Sequence, residues 1–366
     1  MENSRLKRKR RKQRISLFTN IIFCIITLAS LTGCIILLLN NYALRNESKE
    51  AMAQVSQLEA YQENYVYSQS DLDAYVEEAR IDAREEERKL FLDELKAKMS
   101  GSSTATAMLR DFFTEDVVVY ADNEYHFFPI SDQLKKHTYV YDNFIQLENG
   151  QIEYVNDLDE VVSRKGIDVS RYQGKIDWEK VASDGVEYAF IRAGIRGTTE
   201  GKLMEDDRFA DNIEGAIDND IHAGIYFFTQ ALTKEEAVDE AEFVLELIEP
   251  YKITYPVVID LEEVTSEDAR TADLTKEEYT QNCIAFCETI KAAGYTPMIY
   301  GNLKTFMIML DMEQLEDYEK WFAYYNAPVY FPYDFSIWQY SSKGSVRGID
   351  EDVDLNICMK DFVKKD

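Results

Sequence analysis

From Gly166 onward the chain repeats one pattern, a short β-branched or aromatic run followed by a helical stretch. The runs fall at 166–170, 188–194, 224–230, 257–262, 297–300, 321–325, 336–340 and 353–357. Helical patterns fill the gaps at 177–183, 208–219, 234–247, 276–293 and 303–310, after which loops join the last strands. Strands alternating with helices pair in parallel through crossover connections. Eight of them predict an α/β barrel related to the (β/α)8 type, closed by a β-rich end. In such barrels chemistry gathers at the C-terminal ends of the strands.

Those ends carry acids. The stretch Tyr255-Pro256-Val257-Val258-Ile259-Asp260-Leu261-Glu262-Glu263 is a buried strand pattern running into two carboxyls at i and i+2. On a strand both point to one face, with Cα atoms roughly 6.5 Å apart. Two carboxylates on one face repel, so one tends to hold its proton while the other stays charged. Acid-catalysed glycosyl transfer needs that division. Taken alone, Asp-Leu-Glu equally describes a strand running out into a solvated loop. Asp168, in the first run, and Asp354, in the last, add carboxyls that could share the same mouth.

The five cysteines form no disulfide framework, and no Cys/His cluster has zinc spacing. His126, His137 and His222 are isolated, so neither a metal nor a cofactor is expected.

The first half is organised differently. Residues 1–14 carry eight Lys/Arg and one Glu, expected to be a cytoplasmic basic segment. Residues 15–39 contain no charge and are long enough to cross a hydrocarbon core of about 30 Å as a transmembrane anchor. A competing reading takes Leu31-Thr32-Gly33-Cys34 as a lipoprotein box with Cys34 lipidated. Residues 40–100 read as a helical stalk. Within it Leu72, Val76, Ala79, Ala83, Glu86 and Leu90 make a weak heptad, consistent with a homodimeric coiled coil or with a single solvated helix. Residues 101–165 read as a linker, Ser100 to Thr104, and a small β-rich module. Two hairpin signals mark the module, 117–120 with 125–128 and 144–147 with 151–155. The barrel occupies 166–366. The net charge is −28, and since residues 1–14 carry +7, the rest carries −35, which excludes a nucleic-acid backbone as partner.

Four motifs stand in order along the barrel: Gly166-Ile167-Asp168-Val169-Ser170-Arg171-Tyr172-Gln173-Gly174, the Ile259-Asp260-Leu261-Glu262 segment, Ile337-Trp338-Gln339-Tyr340, and Gly348-Ile349-Asp350 leading into Val353-Asp354-Leu355-Asn356. Through them Gly166 to about Phe362 resembles glycoside hydrolase family 25, the lysozymes of the muramidase type. The resemblance implies a (β/α)5(β)3 barrel that cleaves the β-1,4 bond between N-acetylmuramic acid and N-acetylglucosamine in peptidoglycan. It implies Glu262 as proton donor and general acid/base and Asp260 as its partner, with Asp168 and Asp354 as further acids of the cleft. Tyr226, Tyr300, Tyr324 and Trp338 become candidates for sugar stacking, with barrel packing as the competing role of each. One departure is Phe227, where the family often has a histidine. The implied partner is a peptidoglycan glycan strand, at the cell membrane, with a single pass, a cytoplasmic N-terminus and an extracellular catalytic domain. A non-hydrolytic wall-binding scaffold that kept the cleft is the alternative from another class. A phage-type lysin on a releasable anchor is a third.

Overall fold

The computed structural model describes residues 30–31, 33–56, 67–101, 104–266 and 268–363. The chain divides into two compact units, Met1–Glu94 and Leu95–Asp366. Most of the expected anchor, residues 15–29 and 32, lies outside the described residues, as does 57–66 within the expected stalk. Among the described residues no helix is long and apolar enough to cross a membrane. Residues 33–56 are helical, and a second helix, α1 (Gln69–Gly101), has no buried residue. Leu72, Val76 and Leu90 of the heptad seam are exposed.

The expected linker is not wholly irregular. Helix α1 reaches Gly101, residues 102–103 lie outside the described set, and Thr104 caps a short helix, α2 (Ala105–Phe112). The Thr104 side chain accepts from Ala107 N at 3.0 Å, satisfying one of the free N–H groups at the helix start. Sequence patterning missed α2 because its eight residues are too short to show periodicity.

Both expected hairpins form. Strands β1 (Asp116–Ala121) and β2 (Glu124–Pro129) pair antiparallel across Asp122 and Asn123, at φ 52° and 64°. Positive φ at both central positions matches the strand twist, and Asp and Asn tolerate it best after glycine. Strands β3 (Phe144–Gln146) and β4 (Ile152–Tyr154) pair across a turn containing Gly150 at φ 80°. This module shares a core with the barrel: Val117, Val119 and Ala121 join the main apolar cluster. Val118 N donates to Tyr330 Oη at 2.9 Å, and the Phe144 ring packs 5.3 Å from Trp338.

The barrel follows as β5 (Arg164–Val169), α3 (Trp178–Ser183), β6 (Tyr188–Arg196), β7 (Leu203–Glu205), α4 (Phe209–Asp218), β8 (His222–Phe228), α5 (Lys234–Ile248), β9 (Val257–Asp260), α6 (Lys276–Ala292), β10 (Pro297–Asn302), β11 (Glu319–Ala323), β12 (Ile337–Gly344) and β13 (Val353–Cys358). The order β5-β6-β8-β9-β10-β11-β12-β13 closes on β5, while β7 extends β6 as an antiparallel edge. Pairing is parallel from β5 round to β12. Strand β13 is antiparallel to both its neighbours. All eight expected strands are present. The fifth expected helix, Leu303–Leu310, is helical over 303–309, its larger part a π-type segment at Thr305–Met309. Strand β9 ends at Asp260, two residues before the expected end.

Helices α5 and α6 begin at Thr233 and Thr275, each followed by Lys-Glu-Glu. At α6 the box is complete: Thr275 accepts from Glu278 N, and Glu278 accepts from Thr275 N at 2.8 Å. Large rings fill the barrel interior, with Phe190 stacked on Trp321 at 4.5 Å and Tyr188 on Tyr255 at 4.6 Å. They need room on the neighbouring strands. A Cβ at Gly166 would lie 2.1 Å from the Tyr188 ring, and one at Gly224 would lie 2.4 Å from Phe190.

Candidate active site

Because β13 runs against the other strands, its second residue lies at the end where β5 finishes. Asp354 is the Cα partner of Asp168. Asp260 ends β9, and Glu262 follows in the irregular segment beyond it. All four acids line one cleft of 440 Å3, together with Tyr226, Tyr300 and Trp321.

Asp168 is the most supported carboxyl. Its Oδ2 accepts from Gln339 Nε2 and from Asn356 Nδ2, both at 2.8 Å. Gln339 Oε1 in turn accepts from the Tyr300 and Tyr325 hydroxyls at 2.8 Å, and Asn356 Oδ1 accepts from Trp321 Nε1 at 2.8 Å. Each amide is thereby held with its NH2 toward Asp168, which fixes the carboxyl orientation. Burial still pushes the Asp168 pKa well above the usual carboxylate range, and the Asp354 charge adds to that. Burial raises Asp354 to about 6, against the lowering effect of its hydrogen bond with Asp168.

Asp260 and Glu262 form the second pair. Burial raises both. The Glu262 charge pushes Asp260 further up, while Arg192 pulls it down; the Tyr300 hydroxyl works against burial at Glu262. Both carboxyls are therefore harder to ionise than free ones, and the pair resists carrying two charges at once. Glu262 is only partly buried, so it meets whatever occupies the cleft. Asp260 is 7% exposed, and its Oδ1 has no protein hydrogen-bond partner among the described residues. A buried acceptor aimed into a cleft suits an N–H supplied by a ligand.

Tyr226 and Tyr300 line the cleft as expected, but at 9% and 6% exposure neither offers an open face for stacking. The other two aromatic candidates lie elsewhere. Trp338 is 1% exposed and faces away from the barrel interior, where its Nε1 donates to Tyr324 O at 2.7 Å. One residue along β12, strand alternation turns Gln339 inward instead. Tyr324 stacks on Phe322 and lines the larger cavity beyond Glu262 rather than the cleft of the four acids, where its neighbour Tyr325 lies. Phe227 is fully buried against Phe243, so the departure from the family histidine falls in packing outside the mouth.

Five site residues escaped sequence reasoning: Arg192, Gln339, Asn356, Trp321 and Tyr325. Arg192 lines the cleft from β6, held by Asp206 at 2.6 Å, with its guanidinium 5.1 Å from the Tyr172 ring centroid. A lone arginine inside the apolar run 188–194 was the available signal. Gln339 and Asn356 sat within quoted motifs, but nothing local showed that both reach Asp168.

The family model for glycosyl hydrolases family 25 matches residues 167–349, half of the chain. The protein belongs to that family. Over 206 residues it is 30% identical to Lysozyme M1 of Streptomyces globisporus, covering 52% of this chain and 66% of that one. It is 29% identical over 201 residues to the uncharacterized protein YegX of Escherichia coli K12, covering 52% and 68%. Among solved structures it is similar to the modular autolysin LytC of Streptococcus pneumoniae, in complex with a synthetic peptidoglycan ligand, with a TM-score of 0.50 and 25% identity. That match covers 66% of this chain and 57% of the autolysin.

Proposed function

We propose that the protein is a peptidoglycan hydrolase that cleaves the β-1,4 bond between N-acetylmuramic acid and N-acetylglucosamine. The observation that carries this reading is the Asp260–Glu262 pair, one open to the cleft and one buried with a free acceptor atom. Glu262, whose ionisation burial disfavours, donates its proton to the glycosidic oxygen as that bond breaks. Asp260 accepts the N–H of the substrate's acetamido group and orients it against the anomeric carbon. Glu262, now ionised, takes a proton from the incoming water as the water oxygen bonds to the anomeric carbon, which restores the starting state. Asp168, locked by Gln339 and Asn356, holds the sugar with Asp354 at the opposite rim.

In this reading residues 1–39 anchor the chain in a cell membrane with the catalytic unit outside. Residues 40–100 carry the unit toward the wall, as a dimer or a single helix. The basic block followed by an uncharged segment supports that arrangement.

The test is mass spectrometry of peptidoglycan digested by the full-length chain. Soluble fragments with muramic acid at the new reducing ends are expected, and Glu262→Gln is expected to lower their release about 10²- to 10⁴-fold without unfolding the barrel. Pelleting with the wall and no release of fragments would replace the hydrolase with a binding protein.

A further inference from the structure

The catalytic cleft continues past Glu262. A second cavity of 1060 Å3 opens beside it and shares Glu262, Tyr300 and Tyr325 with the first. Its outer wall comes from the N-terminal module: Thr106 and Arg110 of α2, and Tyr120 of β1. We propose that this groove binds the sugar units that run on beyond the scissile bond, with Tyr120 as a stacking platform for a pyranose ring. The module then acts as a substrate-length sensor for the barrel, an inference that rests on the hydrolase reading above.

Three observations argue for a saccharide occupant. A polymer cut in its interior must leave the mouth on both sides of the bond, and this groove begins at the proton donor. Its volume lies at the top of the roughly 300–1,000 Å3 typical of small-ligand pockets, which leaves room for more than one ring. Finally, its lining is mostly aromatic and neutral polar, with two cations, Arg110 and Lys304, set against two acids, Asp111 and Glu262. Tyr120 and Tyr325 are each 52% exposed, a large open aromatic surface, with the Tyr325 hydroxyl held by Gln339 so that its ring is fixed in place. Asn302 and Asn326 add neutral donors and acceptors.

The groove's two cations are already engaged, which disfavours the carboxylates of a peptide stem. Lys304 Nζ contacts Asp122 Oδ1 at 2.7 Å and Glu263 Oε2 at 2.6 Å. Arg110 donates to Tyr324 Oη at 2.7 Å and to Val118 O at 3.3 Å, and its guanidinium lies 3.9 Å from the Tyr330 ring centroid. These contacts also fasten the outer wall to the barrel, so the groove is formed before substrate arrives.

The experiment uses the full-length Glu262→Gln chain, titrated by calorimetry with peptide-free glycan oligomers of alternating N-acetylglucosamine and N-acetylmuramic acid. Affinity is expected to rise from the tetrasaccharide to the octasaccharide. Adding Tyr120→Ala is expected to weaken octasaccharide binding roughly three- to tenfold, the scale of one aromatic contact. Tyr120→Phe is expected to restore it, and unchanged thermal unfolding would show the module intact. Equal octasaccharide affinity with and without the Tyr120 ring would overturn the proposal, as would a length dependence seen only when stem peptides are present. Cleavage by the parent chain is measured alongside. Normal cleavage with no Tyr120 effect removes the groove and leaves the hydrolase. A Tyr120 effect on binding with no cleavage keeps the groove and removes the hydrolase.

Discussion

At the scale of single residues, the cleft stores unfavourable electrostatics. Folding raises the Asp354 pKa from 3.8 to about 6, so between those values the folded chain keeps a proton that the unfolded chain has released. Stability contributed by this group is therefore complete below about pH 4 and is lost as pH rises toward 6, leaving a penalty above that. Asp354→Asn removes the penalty. It is expected to stabilise the protein by about 1–3 kcal/mol at pH 7 and by little below pH 4. Urea unfolding at the two pH values checks this, and an equal gain at both would show that ionisation of Asp354 is not the cause. Activity is expected to fall in the same variant, as is common when strain serves a site. Individual residues were unevenly legible in the sequence. The four acids were readable because carboxyls stand out at the ends of apolar runs. Trp338 was misread because a tryptophan beside a site glutamine looks functional until the pleat assigns it to the other face.

At the scale of elements, the eight strands were legible because buried parallel strands read as β-branched runs between helices. The direction of β13 was not. Strand direction depends on a partner far away in sequence, and the short loop before β13 is compatible with either sense. The consequence is chemical, because only the antiparallel arrangement brings Asp354 and Asn356 against β5. The helical layer also holds an element that sequence reading passed over. Glu240 of α5 is fully buried and pairs with Arg196 of β6 at 2.7 Å, while accepting from Thr229 Oγ1 at 2.6 Å. Arg196 goes on to donate to the carbonyls of Gly201 and Glu236. Removing one partner strands a buried charge. Glu240→Ala is expected to cost about 3–5 kcal/mol in urea denaturation, and a loss under about 1 kcal/mol would mean that water reaches Arg196.

At the scale of the whole molecule, charge is the dominant feature. The chain beyond residue 14 carries −35, and anionic wall polymers are expected to repel it over a Debye length of about 10 Å at 0.1 M salt. Turnover of purified wall is therefore expected to rise between low and moderate ionic strength. A flat profile would show that neutral sugar contacts govern approach. The module at 101–165 looked chemically silent in the sequence, since its residues carry no catalytic pattern of their own. Its contribution became visible only once α2 and β1 were placed beside Glu262.

Closure of the barrel by its first and last strands also sets a schedule. Asp168 is synthesised early in the barrel, yet one of the two amides that hold it and its carboxyl partner come from 353–358. The acid cluster is thus incomplete until the strand at 353–358 has joined the barrel. An unclosed barrel leaves Asp168 with Gln339 as its one amide donor, so assembly of the site and closure of the ring are a single event.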